Sequence, residues 1–133
     1  LFGDLLAESC RALGVAGVVV DAGIRDVSEI AALGFPAWSR AVSAQGTTKR
    51  TPGAVNVPIV CAGAAVNPGD VVVGDADGVV VVPRETAARV ALAAEERLAK
   101  ETALRSRLRN GELSLDLLDL REVLKAAGVD WKA

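Results

Sequence analysis

The stretch Gly3-Asp4-Leu5-Leu6-Ala7-Glu8-Ser9-Cys10, then Val18-Val19-Val20-Asp21, then Ala22-Gly23-Ile24-Arg25-Asp26-Val27-Ser28-Glu29 decides the fold. Leu6, Cys10 and Leu13 recur at helical spacing behind Asp4, which reads as an N-cap, and Gly14 stops that helix. Val18 to Asp21 is a buried strand entered through Gly17. A valine-rich strand that ends in a Gly-containing loop delivers its next polar residues, Arg25 and Asp26, to the carboxyl edge of a sheet, where open α/β sheets hold ligands. The free backbone N–H groups of Leu5 and Leu6 at the helix start offer a seat for a carboxylate. Val27 to Leu33 is a second short helix ending at Gly34, with Asp26 at or near its N-cap.

Working outward, Phe35 to Ser43 is an extended edge strand, because Pro36 cannot donate to a ladder. Gly46 to Gly53 has no apolar period and reads as a surface loop. Its Lys49 and Arg50 are either solvated or ready to catch a distant carboxylate. Val55–Val60, Ala64–Val66, Val71–Val73 and Val79–Val82 are short strands. The turn Asn67-Pro68-Gly69-Asp70 between them fits type II, and Asp75-Ala76-Asp77-Gly78 is a second tight turn rather than a calcium loop. Residues 84–109 contain neither Gly nor Pro and form the long helix. At 100° per residue Ala87, Val90, Ala91, Ala94, Leu98, Leu104 and Leu108 share one side, facing away from Arg89, Glu96 and Lys100. Glu101 falls on the apolar side, so it is either paired, for instance with Arg105, or aimed at a charge that docks there. Asn110-Gly111 ends this helix. A second amphipathic piece spans Leu113 to Val129, and Trp131 is expected to anchor the tail by packing.

Composition narrows the chemistry. The chain has 133 residues, 51% of them hydrophobic and 24% charged, which suits one soluble domain. With only 3% aromatics, the core has to come from Val, Leu and Ala. The net charge of -2 without a basic run argues against nucleic acid. No stretch approaches the ~20 uninterrupted apolar residues that span a bilayer, so no membrane partner is expected and the reading is a cytoplasmic protein. Cys10 and Cys61 lack CxxC spacing and read as buried free thiols. The absence of histidine removes Ser-His-Asp, Cys-His and His-zinc chemistry and leaves carboxylates, Lys, Arg or metal-bound water for proton transfer.

Asp4, twenty residues, Arg25-Asp26, two residues and Glu29 together resemble the pattern of the 4-hydroxy-4-methyl-2-oxoglutarate and 4-carboxy-4-hydroxy-2-oxoadipate aldolases. The segments Ser43–Lys49, Gly53–Pro58, Asn67–Asp70, Asp77–Pro83 and Gly111–Asp116 resemble the same family, so the likeness covers nearly the whole chain. The related regulator of ribonuclease activity A, a non-catalytic trimer, carries Gly where the aldolases have the leading Asp. This chain has Asp4 there.

The resemblance implies a layered α-β-β-α sandwich of the swivelling β/β/α type with a long C-terminal helix. It also implies a metal-dependent lyase that cleaves a 4-hydroxy-2-oxo acid to pyruvate and a second oxo acid, with decarboxylation of oxaloacetate on the side. Its cofactor would be Mg²⁺ or Mn²⁺, bound directly by Asp26. Asp4 and Glu101 would act through water, Glu101 from a neighbouring subunit of a homotrimer or hexamer. Arg25 would hold the enolate oxygen, and the turn Gly3-Asp4-Leu5-Leu6 the pyruvyl carboxylate. Singly each residue has a plainer role: Asp4 a helix cap, Arg25-Asp26 a loop ion pair, Glu29 a solvated first-turn carboxylate or a brace for Arg25. The aldolases carry about as much sequence again before this point, and the chain has no Met even at position 1. The expectation is therefore a single aldolase-like domain over 1–133 lacking an N-terminal portion, which a separate N-terminal fragment could complete, with the helical region 84–133 touching a neighbouring subunit. The rival reading is a silent trimeric regulator that restrains a larger enzyme.

Overall fold

The computed structural model describes residues 1–48 and 50–129, and the chain divides into two compact units, Leu1–Ala87 and Ala88–Ala133. Lys49 and Trp131 lie outside the described residues.

The first unit opens with helix α1 (Asp4–Ala12), strand β1 (Val18–Ile24), helix α2 (Val27–Leu33) and strand β2 (Ala37–Val42). β1 and β2 pair in parallel, so β1-α2-β2 is a crossover unit with both strands ending at the same edge. Val18 faces Ala37 and Ile24 faces Val42, with the register slipping between Val20 and Gly23. β1 therefore runs three residues further than its valine run suggests, because Ala22, Gly23 and Ile24 continue the ladder through an irregularity rather than forming a loop.

Two antiparallel pairs follow. β3 (Ile59–Cys61) pairs with β4 (Ala64–Val66), and β5 (Val71–Gly74) with β6 (Val79–Val82). The strand expected from Val55 starts only at Ile59: Asn56 adopts a left-handed conformation (φ 57°) and Pro58 has no N–H to give a ladder. Asn67–Asp70 is the expected turn, closed by the Asp70 N–H on the Asn67 carbonyl at 3.0 Å, with Gly69 at φ 94° where type II requires it. In the second turn the Asp75 side chain accepts the N–H groups of Asp77 and Gly78 at 2.8 and 3.2 Å.

Four polar bonds tie these pieces together. Asp21 accepts the Ala62 N–H at 2.8 Å and pairs with Arg40 at 2.6 Å, joining β1 and β2 to the β3–β4 turn. Trp38 donates its indole N–H to the Asp75 carbonyl at 2.8 Å. Asp70 accepts the Arg84 N–H at 3.0 Å, at the head of a 3₁₀ turn over Arg84–Thr86.

The core is small. Ala7, Ile30 and Phe35 are buried, packed by Phe2, Cys10, Val18, Leu33 and Ala37, and Phe2 stacks on Phe35 with ring centroids 6.3 Å apart. Ile24 is buried as well. This corrects the expected valine core: Val60, Val72, Val73 and Val80 are exposed, and β1 alternates between partly covered and open positions. The physical reason is that each sheet has two strands, and among the described residues no layer closes over the valine faces. Cys10 and Cys61 are half-buried rather than buried.

The second unit carries helix α3 (Ala87–Arg109), α4 (Ser114–Leu117) and α5 (Leu120–Ala126). None of the residues of α3 is buried: Val90, Ala91, Ala94, Leu98 and Leu108 of its apolar stripe are exposed, and Ala87 and Leu104 are partly covered. The amphipathic piece expected over Leu113–Val129 is two helices, broken at Asp119 (φ 53°). α1, α2, α3 and α5 all stop where the sequence placed them, at Gly14, Gly34, Gly111 and Gly128. At each, the glycine N–H and the next residue's N–H return to the last turn in the Schellman pattern. No helix among the described residues is long and apolar enough to cross a membrane.

Candidate functional site

The site forms because the chain start is laid beside the end of β1. Phe2 bridges Ile24 in parallel, and its carbonyl accepts the Arg25 N–H at 2.9 Å. That fixes Gly3 and Asp4 at the carboxyl edge, next to Arg25 and Asp26. Gly3 is buried, and it is glycine for lack of room: a Cβ there would lie 2.7 Å from Asp26 Oδ2 and 3.1 Å from Arg25 Nε.

Asp26 precedes α2 in a left-handed conformation (φ 56°, ψ 41°), uncommon for a residue with a side chain and recurrent at functional positions. Its Oδ2 takes the Arg25 Nε–H at 3.2 Å and the Asp4 N–H at 3.4 Å. Among the described residues Oδ1 receives no hydrogen bond, so one carboxylate oxygen is spoken for and the other is open. Asp26 stands at the N-cap position of α2 as expected, yet its side chain caps nothing there because it points back to α1 and Arg25.

Asp4 differs from expectation. The N-cap of α1 is Gly3, Asp4 is the first helical residue, and its carboxylate caps no N–H. The reason is that Gly3 is fully extended (φ -153°) and its carbonyl already receives Leu6 and Ala7. The Leu6 N–H is thus occupied, at 3.2 Å, and only Leu5 keeps an N–H without an intramolecular acceptor among the described residues. The charge of Asp4 still favours the helix N-terminus.

Asp4, Leu5, Leu6 and Arg25 line an open cleft of about 640 Å³ whose other wall is Gly46, Thr47 and Thr48. This opposing wall was missed in the sequence, where the loop had no pattern. The available signal was topological: parallel β1 and β2 end at one edge, so the segment after Val42 has to run beside the segment after Ile24. The Ser43 N–H bonds the Ile24 carbonyl at 2.8 Å for that reason. Arg50 gives its N–H to Thr48 at 3.4 Å. Glu29 is exposed, without a brace on Arg25.

Glu101 belongs to the second unit. Its carboxylate is held by Arg97 at 2.7 Å, one turn before it, and Arg105 adds only attraction at longer range. The hydrogen bond and the charge of Arg97 both lower its pKa, so it stays ionised at neutral pH. The sequence pointed to Arg105. Among the described residues no three Cys, Asp or Glu side chains gather as a ready-made metal cage.

Residues 1–81 match the model of the RraA-like, Aldolase/RraA, family. A protein of Halalkalibacterium halodurans named "Putative 4-hydroxy-4-methyl-2-oxoglutarate aldolase" is 41% identical over 101 residues, covering 76% of this chain and 48% of that protein. Two solved structures share the fold. An uncharacterized Pseudomonas syringae protein superposes with a TM-score of 0.76 at 31% identity, over 85% of this chain and 57% of that one. Streptomyces coelicolor RraAS2, described as an unusual member of the RNase ES inhibitor RraA protein family, gives 0.72 at 35% identity, over 80% and 55%. The chain spans about half the length of the curated relatives it matches. With more than half of its residues matched by the family model and a mixed α/β fold shared with these structures, this chain belongs to the RraA-like, Aldolase/RraA, family.

Proposed function

We propose that the chain carries the active-site half of a lyase that cleaves a 4-hydroxy-2-oxo acid to pyruvate and a second oxo acid. The observation that supports this is the placing of Arg25 and Asp4 together in the lining of a cleft beside a helix N-terminus, with Asp26 bonded to the Arg25 guanidinium and to the Asp4 N–H.

Breaking the C3–C4 bond requires the C4 hydroxyl to lose its proton as C4 becomes a carbonyl. The bonding pair moves into C3 and the 2-oxo oxygen, and C3 then takes a proton to give pyruvate. Asp4 is the carboxylate lining the cleft and receives the hydroxyl proton through a bridging water. The Arg25 guanidinium, braced by Asp26, faces the charge that develops on the 2-oxo oxygen, where a fixed cation lowers the barrier most. The free Leu5 N–H holds the pyruvyl carboxylate.

The residues present fit a hydrated hard cation. Mg²⁺ is commonly bound through one or two carboxylates and keeps several waters, and Asp26 offers an oxygen with no competing donor. Asp26 would hold Mg²⁺ or Mn²⁺ directly, with Asp4 beyond its waters. When bound, the cation supplies positive charge that polarises the 2-oxo acid.

A catalytically silent regulator is the second reading, favoured by the likeness to RraAS2. Release of pyruvate from oxaloacetate and from 4-hydroxy-4-methyl-2-oxoglutarate, with and without Mg²⁺ or Mn²⁺, separates the two. Cation-dependent release supports the lyase, and none at any cation concentration leaves the regulator.

A further inference from the structure

We infer that Asp21 and Arg40 are positioning residues for the site: together they pin a bulge in β1, and the bulge sets the direction in which Arg25 and Asp26 leave the strand. The consequence for turnover rests on the lyase reading.

Pairing along β1 is uneven. From Val20 to Gly23 the strand advances three residues while β2 advances two, from Ser39 to Ala41. Asp21 and Ala22 therefore share one position opposite Arg40, a bulge of one extra residue, which is rare in a parallel pair. Both are exposed, and the alternation of covered and open positions along Val18, Val19, Val20 and Asp21 breaks there. Side chains of a strand alternate with a period of two, so one added residue turns everything after it to the other face. Val18, before the bulge, packs on the cluster of Ala7, Ile30 and Phe35, whereas Ile24, after it, is buried outside that cluster. Arg25 follows directly.

Both oxygens of Asp21 hold the extra residue in place. Oδ1 takes Arg40 Nε at 2.6 Å, the side chain of the residue facing the bulge. Oδ2 takes the Ala62 N–H at 2.8 Å, at the start of the tight turn between β3 and β4, where Ala62 and Gly63 are both left-handed (φ 50° and 87°). The bulge is fastened across its own ladder and to a second sheet. An exposed ion pair adds little to global stability, so what it contributes here is local geometry. That geometry has narrow tolerance, since Gly3 leaves no room beside Asp26 Oδ2 for even a methyl group, and misplacing reacting groups by about 1 Å can cost about a hundredfold in rate.

Arg40→Ala removes the pair across the ladder and leaves the Ala62 bond; Asp21→Ala removes both. Pyruvate release from oxaloacetate is measured at saturating Mg²⁺, and amide hydrogen exchange is followed by mass spectrometry over residues 20–27 and 71–82. Asp21→Ala is expected to lower kcat about tenfold or more and Arg40→Ala severalfold. Exchange over 20–27 should quicken by about tenfold in Asp21→Ala and less in Arg40→Ala, while that over 71–82 stays as in the wild type. Arg40→Lys, which keeps the charge, should remain within about twofold of wild-type kcat. Unaltered exchange over 20–27, an unaltered kcat in both alanine variants of an active enzyme, or a lysine variant as slow as Arg40→Ala would overturn the positioning role. So would an equal rise of exchange over 71–82, which marks a plain loss of stability. Should Asp21→Ala not fold, Arg40→Ala gives the answer by the same two measurements. If the wild type frees no pyruvate with any cation, the lyase reading fails, and the exchange over 20–27 still tests the clamp on the bulge.

Discussion

The Asp26 carboxylate reaches back 22 positions in sequence to the N–H of Asp4, with Oδ2 3.4 Å from the amide nitrogen, while the same oxygen takes the Arg25 Nε–H. One carboxylate thus joins the end of β1 to the start of α1 and aligns the guanidinium. Charge and hydrogen bonding at Asp26 can be separated. Asp26→Asn keeps a carbonyl oxygen for the Asp4 N–H and is expected to fold with a melting temperature within a few degrees of wild type. Cation-dependent pyruvate release should fall by at least about a hundredfold, the size of losing one electrostatic contact in the transition state. An unchanged cation titration in that variant would remove Asp26 as a ligand.

Arg25→Lys tests the guanidinium. Arg25 is partly exposed, and its pairing with Asp26 at 3.2 Å contributes little to stability. Its planar fork can hold Asp26 and a developing oxyanion at once, which a lysine ammonium on a flexible stem does less well. The variant should show kcat reduced by ~10² to 10³ with KM nearly constant, the pattern of an interaction made only in the transition state. Steady-state kinetics with oxaloacetate reads this directly, and a wild-type kcat would take Arg25 out of the reaction.

Two glycines are set by crowding and predict opposite phenotypes. At Gly3 an added Cβ meets Asp26 Oδ2 at 2.7 Å, so Gly3→Ala displaces the site carboxylate and should cost activity before stability. At Gly74 the added Cβ meets three ring atoms of Trp38 at 2.6 to 2.8 Å, and the ring is tied at its far end to the Asp75 carbonyl. Gly74→Ala should therefore destabilise by about 1–3 kcal/mol through overpacking and shift tryptophan emission. Denaturant melts alongside turnover separate the pair, and the same phenotype in both would contradict the account.

Acid should loosen the first unit at its tie points. Asp70 is held below the ordinary carboxylate range by the N–H groups of Asn67 and Arg84, and Asp21 by the N–H of Ala62 and then the charge of Arg40. A carboxylate whose pKa is lower folded than unfolded adds stability that is complete above its unfolded value of about 3.9, and that is lost as pH falls through the lower folded value. Thermal midpoints measured from pH 7 down to pH 3 should drop for the wild type. They should drop less for Asp70→Asn, whose midpoint at pH 7 starts lower. Parallel curves would show that Asp70 does not contribute to the acid sensitivity.

Local chemistry was the legible part of the sequence. The helix stops at Gly14, Gly34, Gly111 and Gly128 are set by a backbone conformation that glycine favours, and turn Asn67–Asp70 by the order of Pro and Gly, so both could be read from a few residues. The extension of β1 past Asp21 was not, because Ala22 and Gly23 look like loop residues until β2 is beside them. Asp4 misled for a similar reason: its capping chemistry is right, but Gly3, fixed by contact with Asp26, takes the position. The valines are exposed because each sheet has only two strands, and no periodicity in the sequence could report how many strands a sheet gathers.

Glu101 carries the last prediction. Along the 23 residues of α3 not one side chain is buried, and Ala91, Ala94 and Leu98 of its apolar stripe are exposed. Surfaces of this kind are covered when copies associate, and we propose that Glu101 then completes the site of a neighbouring copy in a homotrimer or hexamer. Its present partner Arg97 is an exposed neighbour on the same helix, and releasing it is a small loss in water. Near a cation beside Asp26, an ionised carboxylate gains far more. Glu101→Ala and Asp26→Ala proteins, each inactive alone, are therefore unfolded, mixed and refolded. Mixed assemblies contain sites with both wild-type residues, one from each copy, and should recover a fraction of wild-type pyruvate release. Arg97→Ala is the control, since it removes the helical ion pair while leaving Glu101 in place, and it should stay active. Absence of recovery despite verified mixing, or equal inactivity of the Arg97 variant, would confine Glu101 to its own helix.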